Sequence, residues 1–280
     1  MEGWKYYNHA VIPTCAPHEV PDLEPIKSGQ IWKEYPKALF ARWTEDFDCD
    51  KETDWWYVIK DTQFDITTLK SKRRYEINKG NKFFDVKQIN PIEYKIELYN
   101  VQVAAFSAYP QKYRPNVDKE KFIKSIDQWG IYVVLGAFCK DSGELAGYAL
   151  LLQQSSKYVG FSVLKTKPNY EKFCVNAALV EGVLKNFNSF LEQDGYICDG
   201  ARSISHETAF QDYLEKYFGF KKAYCKLKIK YNPKYSWLIK ILYVFRKILI
   251  KFDGIGIVHN INAVLKMEEI CRKQKKENKK

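Results

Sequence analysis

The stretch that decides the fold runs from residue 131 to residue 191 of the 280-residue chain. It reads IYVVLGAFCK (131–140), DSGE (141–144), LAGYALLLQQ (145–154), YVGFSVLK (158–165), TKPNYEKF (166–173) and CVNAALVEGVLKNFNSFL (174–191). Strand-forming Val, Tyr, Phe and Leu fill the first, third and fourth segments, and a Gly-bearing turn separates the first two. The stretch therefore predicts a short antiparallel meander that leads into one last segment of different period.

That last segment has apolar residues at helical spacing, so it predicts a single helix over 174–191. The loop 166–173 lies at its N-terminus, where free backbone N–H groups and the positive end of the helix dipole attract a phosphate or an oxyanion. The candidate donor-binding residues in and beside this loop are Lys165, Lys167, Asn169, Tyr170 and Lys172.

The following residues complete the unit. GYICD (195–199) predicts a strand, and GARSIS (200–205) a loop before a helix that ends at Gly219. From residue 225 to residue 231, apolar residues alternate with lysines, which is the period of a strand with one buried face. The predicted order is hairpin, strand, helix, strand, helix, strand.

This order resembles the acyl-transfer half of the GNAT superfamily, and FQDYLEKYFGFKKAYCKLKI (210–229) is similar to its closing motif. Upstream, ITTLKSKRRYEINKGNKFFDVKQI (66–89) is similar to a segment of FemAB-like transferases, a GNAT branch that modifies cell-wall precursors. The resemblance covers roughly residues 55–232. It implies an α+β (α/β) fold with a mixed, mostly antiparallel central sheet flanked by helices, to which the sequence adds a C-terminal amphipathic helical arm.

The domain organisation predicted from these segments has three parts. Residues 1–54 form an N-terminal extension with the first strands, residues 55–232 the acyltransferase domain, and residues 233–280 an amphipathic helix with a basic tail. Within the first part, the Pro-rich residues 1–30 predict an extended loop.

The donor has two candidates. The GNAT loop that wraps the pyrophosphate of acyl-CoA is glycine-rich, whereas residues 169–174 of this chain contain no glycine. FemAB-like enzymes also lack that loop, because their donor is an aminoacyl-tRNA. The resemblance thus favours aminoacyl-tRNA and leaves acyl-CoA open. We expect no metal, since the 4 histidines show no metal-ligand spacing.

Acyl transfer requires a base or water relay for the acceptor and donors that face the carbonyl oxygen. We expect the site where the strands 158–164 and 196–199 separate. The candidate catalytic residues are His206 as acid or base, Arg202 as a phosphate or carboxylate ligand, Asp199, and Tyr213. Tyr213 is a candidate because the general-acid tyrosine of many GNAT enzymes aligns with Glu215, two positions away. The alternatives are a helix cap for His206 and an ion pair with a neighbouring carboxylate for Arg202.

The candidate substrate-binding residues lie upstream of the meander. In FemAB-like proteins the segment that matches the basic helix 65–78 borders the substrate cleft, which implies that its cations contact phosphates. Two further helices, 92–108 and 119–129, would cover the acceptor side. The candidates from both regions are Lys72, Arg74, Tyr109, Tyr113 and Arg114. A solvated helix face is the alternative for the two cations of the basic helix.

The net charge and the cysteine content limit which partners and which cellular compartment the sequence predicts. The formal net charge of +11 favours anionic partners. The 7 cysteines, an odd number without paired spacing, predict reduced thiols in a cytoplasmic protein. Neither a signal peptide nor a spanning stretch is recognisable.

The C-terminal segment 236–252 predicts one helix with Lys240, Lys247 and Lys251 on a narrow side and apolar residues over the rest. Such a helix either lies peripherally on the inner face of the membrane or packs on the domain or on a partner. The segment 266–280 predicts a frayed basic tail.

Together these features predict a transferase that moves an acyl or aminoacyl group, from acyl-CoA or aminoacyl-tRNA, onto a cell-surface glycan or peptidoglycan precursor, including a lipid-linked one. One alternative is an acyl-CoA-dependent N- or O-acetyltransferase that acts on a nucleotide- or lipid-linked sugar. Another is a non-catalytic GNAT-fold module that binds RNA or membrane. The sequence leaves the oligomeric state open.

Overall fold

The computed structural model describes residues 1–109, 111, 114–204 and 209–277. These residues form two compact units. The first unit comprises Met1–Val58, Ala201–Gln211 and Lys222–Lys280, and the second comprises Ile59–Gly200 and Asp212–Lys221. The division at residues 54/55 and 232/233 that the sequence predicts stays a prediction.

The described residues contain strands and helices in short runs, and the part after Tyr231 is helical. The strands are β1 (Trp4–Tyr7), β2 (Ala10–Pro13), β3 (Phe40–Glu45), β4 (Trp56–Lys60), β5 (Phe84–Gln88), β6 (Val133–Cys139), β7 (Leu145–Gln153), β8 (Tyr158–Thr166), β9 (Tyr196–Ala201), β10 (Lys221–Tyr224) and β11 (Lys226–Tyr231). The helices are α1 (Glu24–Lys27), α2 (Gln30–Glu34), α3 (Ser71–Phe83), α4 (Lys95–Ser107), α5 (Lys119–Ile126), α6 (Val175–Asn186), α7 (Asn188–Glu192), α8 (Ala209–Phe218), α9 (Pro233–Val244), α10 (Arg246–Leu249) and α11 (Gly256–Glu277). In the described part of the chain, no helix is both long enough and apolar enough to span a membrane.

The first unit is built on a four-stranded sheet in the order β1-β2-β3-β11. Strands β1 and β2 pair antiparallel, β2 and β3 parallel, and β3 and β11 antiparallel. The extended loop predicted for residues 1–30 is therefore wrong in part, because this region contains β1, β2 and α1. The cause is burial, since Trp4 and Val11 pack in a cluster with Ile26, Ile31 and Ala41.

The C-terminal helix α11 belongs to the first unit and packs on β11. Its residues Met267, Ile270 and Cys271 are buried, and the Cys271 thiol lies 3.3 Å from the backbone oxygen of Leu227. The prediction of a frayed tail over 266–280 is therefore wrong as far as Glu277. The many lysines of this segment obscure, in the sequence, an apolar stripe of helical period. The single helix predicted for 236–252 is also wrong, since α9 ends at Val244, α10 follows, and a 3₁₀ turn covers Ile250–Phe252.

The second sheet has seven strands in the order β10-β4-β9-β8-β7-β6-β5. Strands β5 to β8 pair antiparallel with their neighbours, whereas β8 and β9 pair parallel. Helix α4 covers this sheet over a core that contains Leu98, Val101, Tyr148 and Leu150. The sheet is therefore mixed and mostly antiparallel, which confirms the predicted fold class with one addition, namely a second sheet.

The predicted meander and the helix after it are present as β6, β7, β8 and α6. The helix predicted over 174–191 is interrupted, however, because Phe187 leaves helical geometry with φ −103° and ψ 12° and separates α6 from α7. Phe187 is 4% exposed, so the ring is buried at the break. The apolar period continues through the break, which explains why the sequence pattern does not reveal it.

Helices α3 and α6 pack closely against each other at Gly80. A β-carbon added at this position would lie 2.7 Å from the backbone oxygen of Cys174 and 2.9 Å from the β-carbon of Ala178. Only glycine therefore fits between the two helices, and it fixes α3 against the N-terminal turn of α6.

The Gly80→Ala variant should lose stability, although alanine normally favours a helix. We expect the free energy of unfolding to fall by about 1–3 kcal/mol, because backbone atoms must move to make room. Urea denaturation measures the change. The control is Gly130→Ala, since nothing lies within 4 Å of a β-carbon built there. Equal stability of the two variants would contradict the close approach.

Candidate active site

Strands β8 and β9 separate partway along their length. Their parallel register comprises three pairs, Tyr158 with Tyr196, Val159 with Ile197, and Gly160 with Cys198. Strand β8 then continues to Thr166 and stays paired with β7 on its other side. The backbone N–H and C=O groups of 162–166 that point away from β7 therefore have no partner in β9. Such groups are strong hydrogen-bonding sites for a ligand.

A β-bulge lies next to the point of separation. Leu150 pairs with Val163 and Leu151 with Phe161, so Ser162 has no counterpart in β7. Ser162 is exposed, in contrast to its buried neighbour Phe161. A bulge bends its strand and re-aims the neighbouring backbone groups, and bulges occur often beside active sites. The bulge thus gives a local cause for the divergence of β8 from β9. The site that the sequence places at these strands stays a prediction.

A buried arginine organises the helices of this unit. Arg73 of α3 is 6% exposed and pairs with Glu76 one turn later. Its guanidinium lies 3.7 Å from the ring centre of Tyr217 and 5.2 Å from that of Tyr213, both in α8. The Nε of Arg73 is buried and has no acceptor among the described residues. A desolvated guanidinium between aromatic faces holds α8 against α3 through cation–π attraction.

The chemistry of Tyr213 follows from this environment. Burial, the largest cause, raises the pKa of the Tyr213 hydroxyl to about 12, against a lowering effect of the Arg73 charge. The hydroxyl is consequently protonated at neutral pH. Tyr213 can therefore donate a proton or a hydrogen bond, and it is unsuited to act as a base.

The predicted donor-binding loop has an acidic partner. Lys167 pairs with Glu144, and the Tyr170 hydroxyl lies 2.5 Å from the second oxygen of the same carboxylate. Lys167 and Tyr170 together lower the pKa of Glu144, and that carboxylate raises the pKa of Tyr170 to about 12. Two of the five predicted donor ligands, Lys167 and Tyr170, are thus already bound to one carboxylate. The neighbouring Asn169 and Lys172 are exposed.

Lys165, a predicted donor-binding residue, lies close to residues predicted to bind the acceptor. Its ammonium lies 4.8 Å from the ring centre of Phe106 and 5.8 Å from that of Tyr109. Arg114 donates hydrogen bonds to the backbone oxygens of Ser107, at 2.7 Å, and Tyr109, at 3.2 Å. One neighbourhood therefore contains Lys165, Tyr109 and Arg114. It lies between the end of α4 and the part of β8 that no longer pairs with β9.

The other predicted site residues are placed separately. Lys72 and Arg74 are exposed on α3, and Arg74 donates to the backbone oxygen of Thr67 at 3.0 Å. Asp199 follows Cys198 in β9 and belongs to the second unit. His206 and Tyr113 lie outside the described residues.

Arg202 belongs to the first unit. Its guanidinium lies 4.4 Å from the ring centre of Trp56 and donates to the backbone oxygen of Asp54 at 2.6 Å. The ammonium of Lys222 lies 4.9 Å from the same ring. These contacts place Arg202 against the start of β4. Its alternative ion pair with Asp199 or Glu207 stays a prediction, and Glu207 lies outside the described residues.

A cavity of about 190 Å³ lies in the first unit, between the N-terminal segment, β3 and Trp55. Its lining includes Arg42, which has no carboxylate within ion-pair distance in the described ranges, and Trp55, whose buried indole N–H has no acceptor there. Burial lowers the pKa of Arg42. None of the predicted site residues in the described part of the chain lines this cavity.

Sequence reasoning missed Arg73. The signal was present, because Arg73, Ile77 and Gly80 are spaced four and three residues apart on one helix face and all three are buried. A cation on such a face indicates a buried partner. Among the described residues, no group of three or more His, Cys, Asp or Glu side chains is arranged to hold a metal ion.

Comparison with known proteins rests on structure, since no family model and no curated protein sequence matches the chain. FemX is similar with a TM-score of 0.53 and 10% identity, over 84% of this chain and 85% of that one. The C-terminal domain of a lysylphosphatidylglycerol synthetase assigned in Agrobacterium fabrum has a TM-score of 0.49 and 11% identity, over 86% and 84%. L-PGS from Bacillus licheniformis has a TM-score of 0.49 and 14% identity, over 85% and 83%.

At these identities the comparison with FemX establishes the fold. The chain has a fold similar to that of FemX, which confirms the resemblance read from the sequence at the level of the fold.

The Arg73→Met variant should lose about 2 kcal/mol or more of its free energy of unfolding, because Glu76 loses its partner and the tyrosine rings lose the cation. Arg73→Lys should fall between it and the wild type, since lysine keeps the charge without the planar stack. Chemical denaturation measures all three. Arg74→Met, at the exposed neighbouring position, is the control and should change stability by less than about 0.5 kcal/mol.

Proposed function

We propose that the protein is a FemAB-like transferase that moves an aminoacyl or acyl group onto a cell-surface glycan or peptidoglycan precursor. The observation that carries this proposal is the separation of β8 from β9 after Gly160 and Cys198, within a fold similar to that of FemX. Backbone N–H groups of residues 162–166 that do not pair with β9 can bind the carbonyl oxygen of the donor as it gains negative charge.

In the proposed reaction, the acceptor nitrogen or oxygen forms a bond to the donor carbonyl carbon. The ester bond to the tRNA, or the thioester bond to coenzyme A, breaks. The acceptor loses a proton to a base, and the leaving oxygen or sulfur gains one. We propose Asp199 or His206 as the base and Tyr213, which is protonated at neutral pH, as the proton donor.

We propose Lys165, Tyr109 and Arg114 as the acceptor-binding neighbourhood. Lys165 lies in the part of β8 that has left β9, and its charge is close to the exposed ring of Tyr109. A cation beside aromatic rings suits an acceptor that carries both phosphate and sugar groups. Lys72 and Arg74 are exposed and have the charge to contact donor phosphates; Arg202 and Tyr113 stay candidate ligands on sequence grounds.

Two features favour aminoacyl-tRNA over acyl-CoA as the donor. The loop before α6 has no glycine and enters the helix through Cys174, whose φ is 65°. Lys167 and Tyr170 are already engaged by Glu144, which cancels positive charge where a pyrophosphate would bind.

Thermal unfolding with each donor separates the two classes. We expect an aminoacyl-tRNA to raise Tm more than the same tRNA without its amino acid, and acetyl-CoA to leave Tm unchanged, because only a bound ligand stabilises the native state. A shift with acetyl-CoA would instead favour the acyl-CoA-dependent acetyltransferase. Equal shifts with charged and uncharged tRNA would favour a non-catalytic RNA-binding module.

Transfer of a radiolabelled amino acid from charged tRNA to an extracted envelope-precursor fraction tests the role of Tyr213. Tyr213→Phe should lower the rate by about a hundredfold or more, because the phenyl ring keeps the stack on Arg73 but loses the proton. Tyr75→Phe is the matched control, since Tyr75 is 66% exposed on α3. Full activity of Tyr213→Phe would show that this hydroxyl has no part in the reaction.

A further inference from the structure

Residues 233–257, here called the C-terminal arm, carry more than half of the exposed large hydrophobic side chains in the described part of the chain. These side chains are Trp237, Leu238, Ile241, Val244, Phe245, Ile248, Ile250, Phe252, Ile255 and Ile257. Val244 is 71% exposed and Ile257 74%. Apolar surface of this extent is unfavourable in water and marks an interaction site.

The arm is attached to the first unit through its other face. The side chain of Asn232 caps α9 by accepting from the Lys234 N–H at 3.1 Å and donates to the backbone oxygen of Ala38 at 3.0 Å. Ile239 is buried, and the Tyr243 ring lies between the guanidinium groups of Arg246, at 4.2 Å, and Arg272, at 3.9 Å. The exposed apolar face of the C-terminal arm therefore belongs to a segment that is anchored to the first unit.

The charge of the arm has one sign. From residue 233 to residue 252 the sequence contains no Asp or Glu, and its cations are Lys234, Lys240, Arg246, Lys247 and Lys251. Lys240, Lys247 and Lys251 are exposed, and no described carboxylate forms an ion pair with them. The first carboxylate, Asp253, is engaged by His259 at 2.9 Å and by Asn262 at 2.7 Å.

We propose that the C-terminal arm is a docking surface for an anionic lipid bilayer and lies in the membrane interface. Apolar side chains would enter the acyl region while the lysines reach the lipid phosphates, a division typical of interfacial helices. Trp237 suits the headgroup level, where tryptophan is enriched. Helix α9 has 12 residues, about 18 Å of helix, so it fits along a bilayer surface.

A bilayer fits this surface better than a second copy of the chain does. Two identical arms brought together would place five cations against five, which is unfavourable without intervening carboxylates. An anionic bilayer complements the same charges and also accepts the apolar side chains.

Co-sedimentation of the full chain with phospholipid vesicles tests the proposal. The protein should sediment with phosphatidylcholine vesicles that contain phosphatidylglycerol, more weakly with pure phosphatidylcholine, and added salt should remove most of the difference. The triple variant Lys240→Gln, Lys247→Gln, Lys251→Gln should bind the phosphatidylglycerol vesicles about a hundredfold more weakly. The triple variant Trp237→Ser, Phe245→Ser, Ile248→Ser should lose binding to both vesicle types.

Matched controls change the same residue types elsewhere on the surface. They are Lys33→Gln, Lys37→Gln, Lys157→Gln for charge, and Ile92→Ser, Ile96→Ser, Val103→Ser for exposed apolar side chains. Both controls should bind vesicles as the wild type does. Circular dichroism verifies that each variant is folded, and the lysine variant keeps the test valid if the apolar one does not fold.

Three results would overturn the proposal. They are no binding of the wild type to phosphatidylglycerol vesicles, equal loss of binding in the arm variants and the controls, and a dimer in light scattering that only the apolar arm variant abolishes while vesicles are not bound. Acyl transfer to a soluble acceptor is measured separately, so failure of the docking surface leaves the proposed reaction untouched and the converse also holds.

Discussion

The short parallel pairing of β8 with β9 is the constraint on which the account of function depends. Three residue pairs join the two strands, and the bulge at Ser162 turns β8 away before a fourth can form. A continuous sheet would satisfy its backbone groups internally and leave none for a substrate. The separation therefore leaves backbone hydrogen-bonding groups that could serve a ligand, and it does so without any special side chain.

Around this gap the helices are fixed by a few unusual contacts. Gly80 lets α3 touch the start of α6, and Arg73 ties α3 to α8 through the rings of Tyr213 and Tyr217. Because α3 makes both contacts, a change in this helix moves the loop before α6 and the candidate acid Tyr213 together. The basic segment that resembles FemAB-like proteins thus has a structural role besides any contact with substrate.

The sequence predicted those elements whose conformation depends on neighbouring residues, and it did not predict contacts between residues that are distant in the chain. Turn glycines and apolar periods predicted β6, β7, β8 and α6 because neighbouring residues determine them. The break at Phe187, the burial of Arg73 and the packing of α11 on β11 depend on residues far away in the chain, and no local pattern contains that information. For the site, the strands were predicted. The contact of Lys165 with Tyr109 was not, because helix α5 and strands β6 and β7 lie between these two residues in the sequence.

The most direct test of the central claim is a crystal structure with a non-hydrolysable aminoacyl-adenosine analogue, in which an amide replaces the ester. The account predicts that the acyl carbonyl oxygen lies about 3 Å from a backbone nitrogen of residues 162–164, in the gap between β8 and β9. An analogue bound elsewhere, with that gap filled by the protein's own side chains, would contradict it.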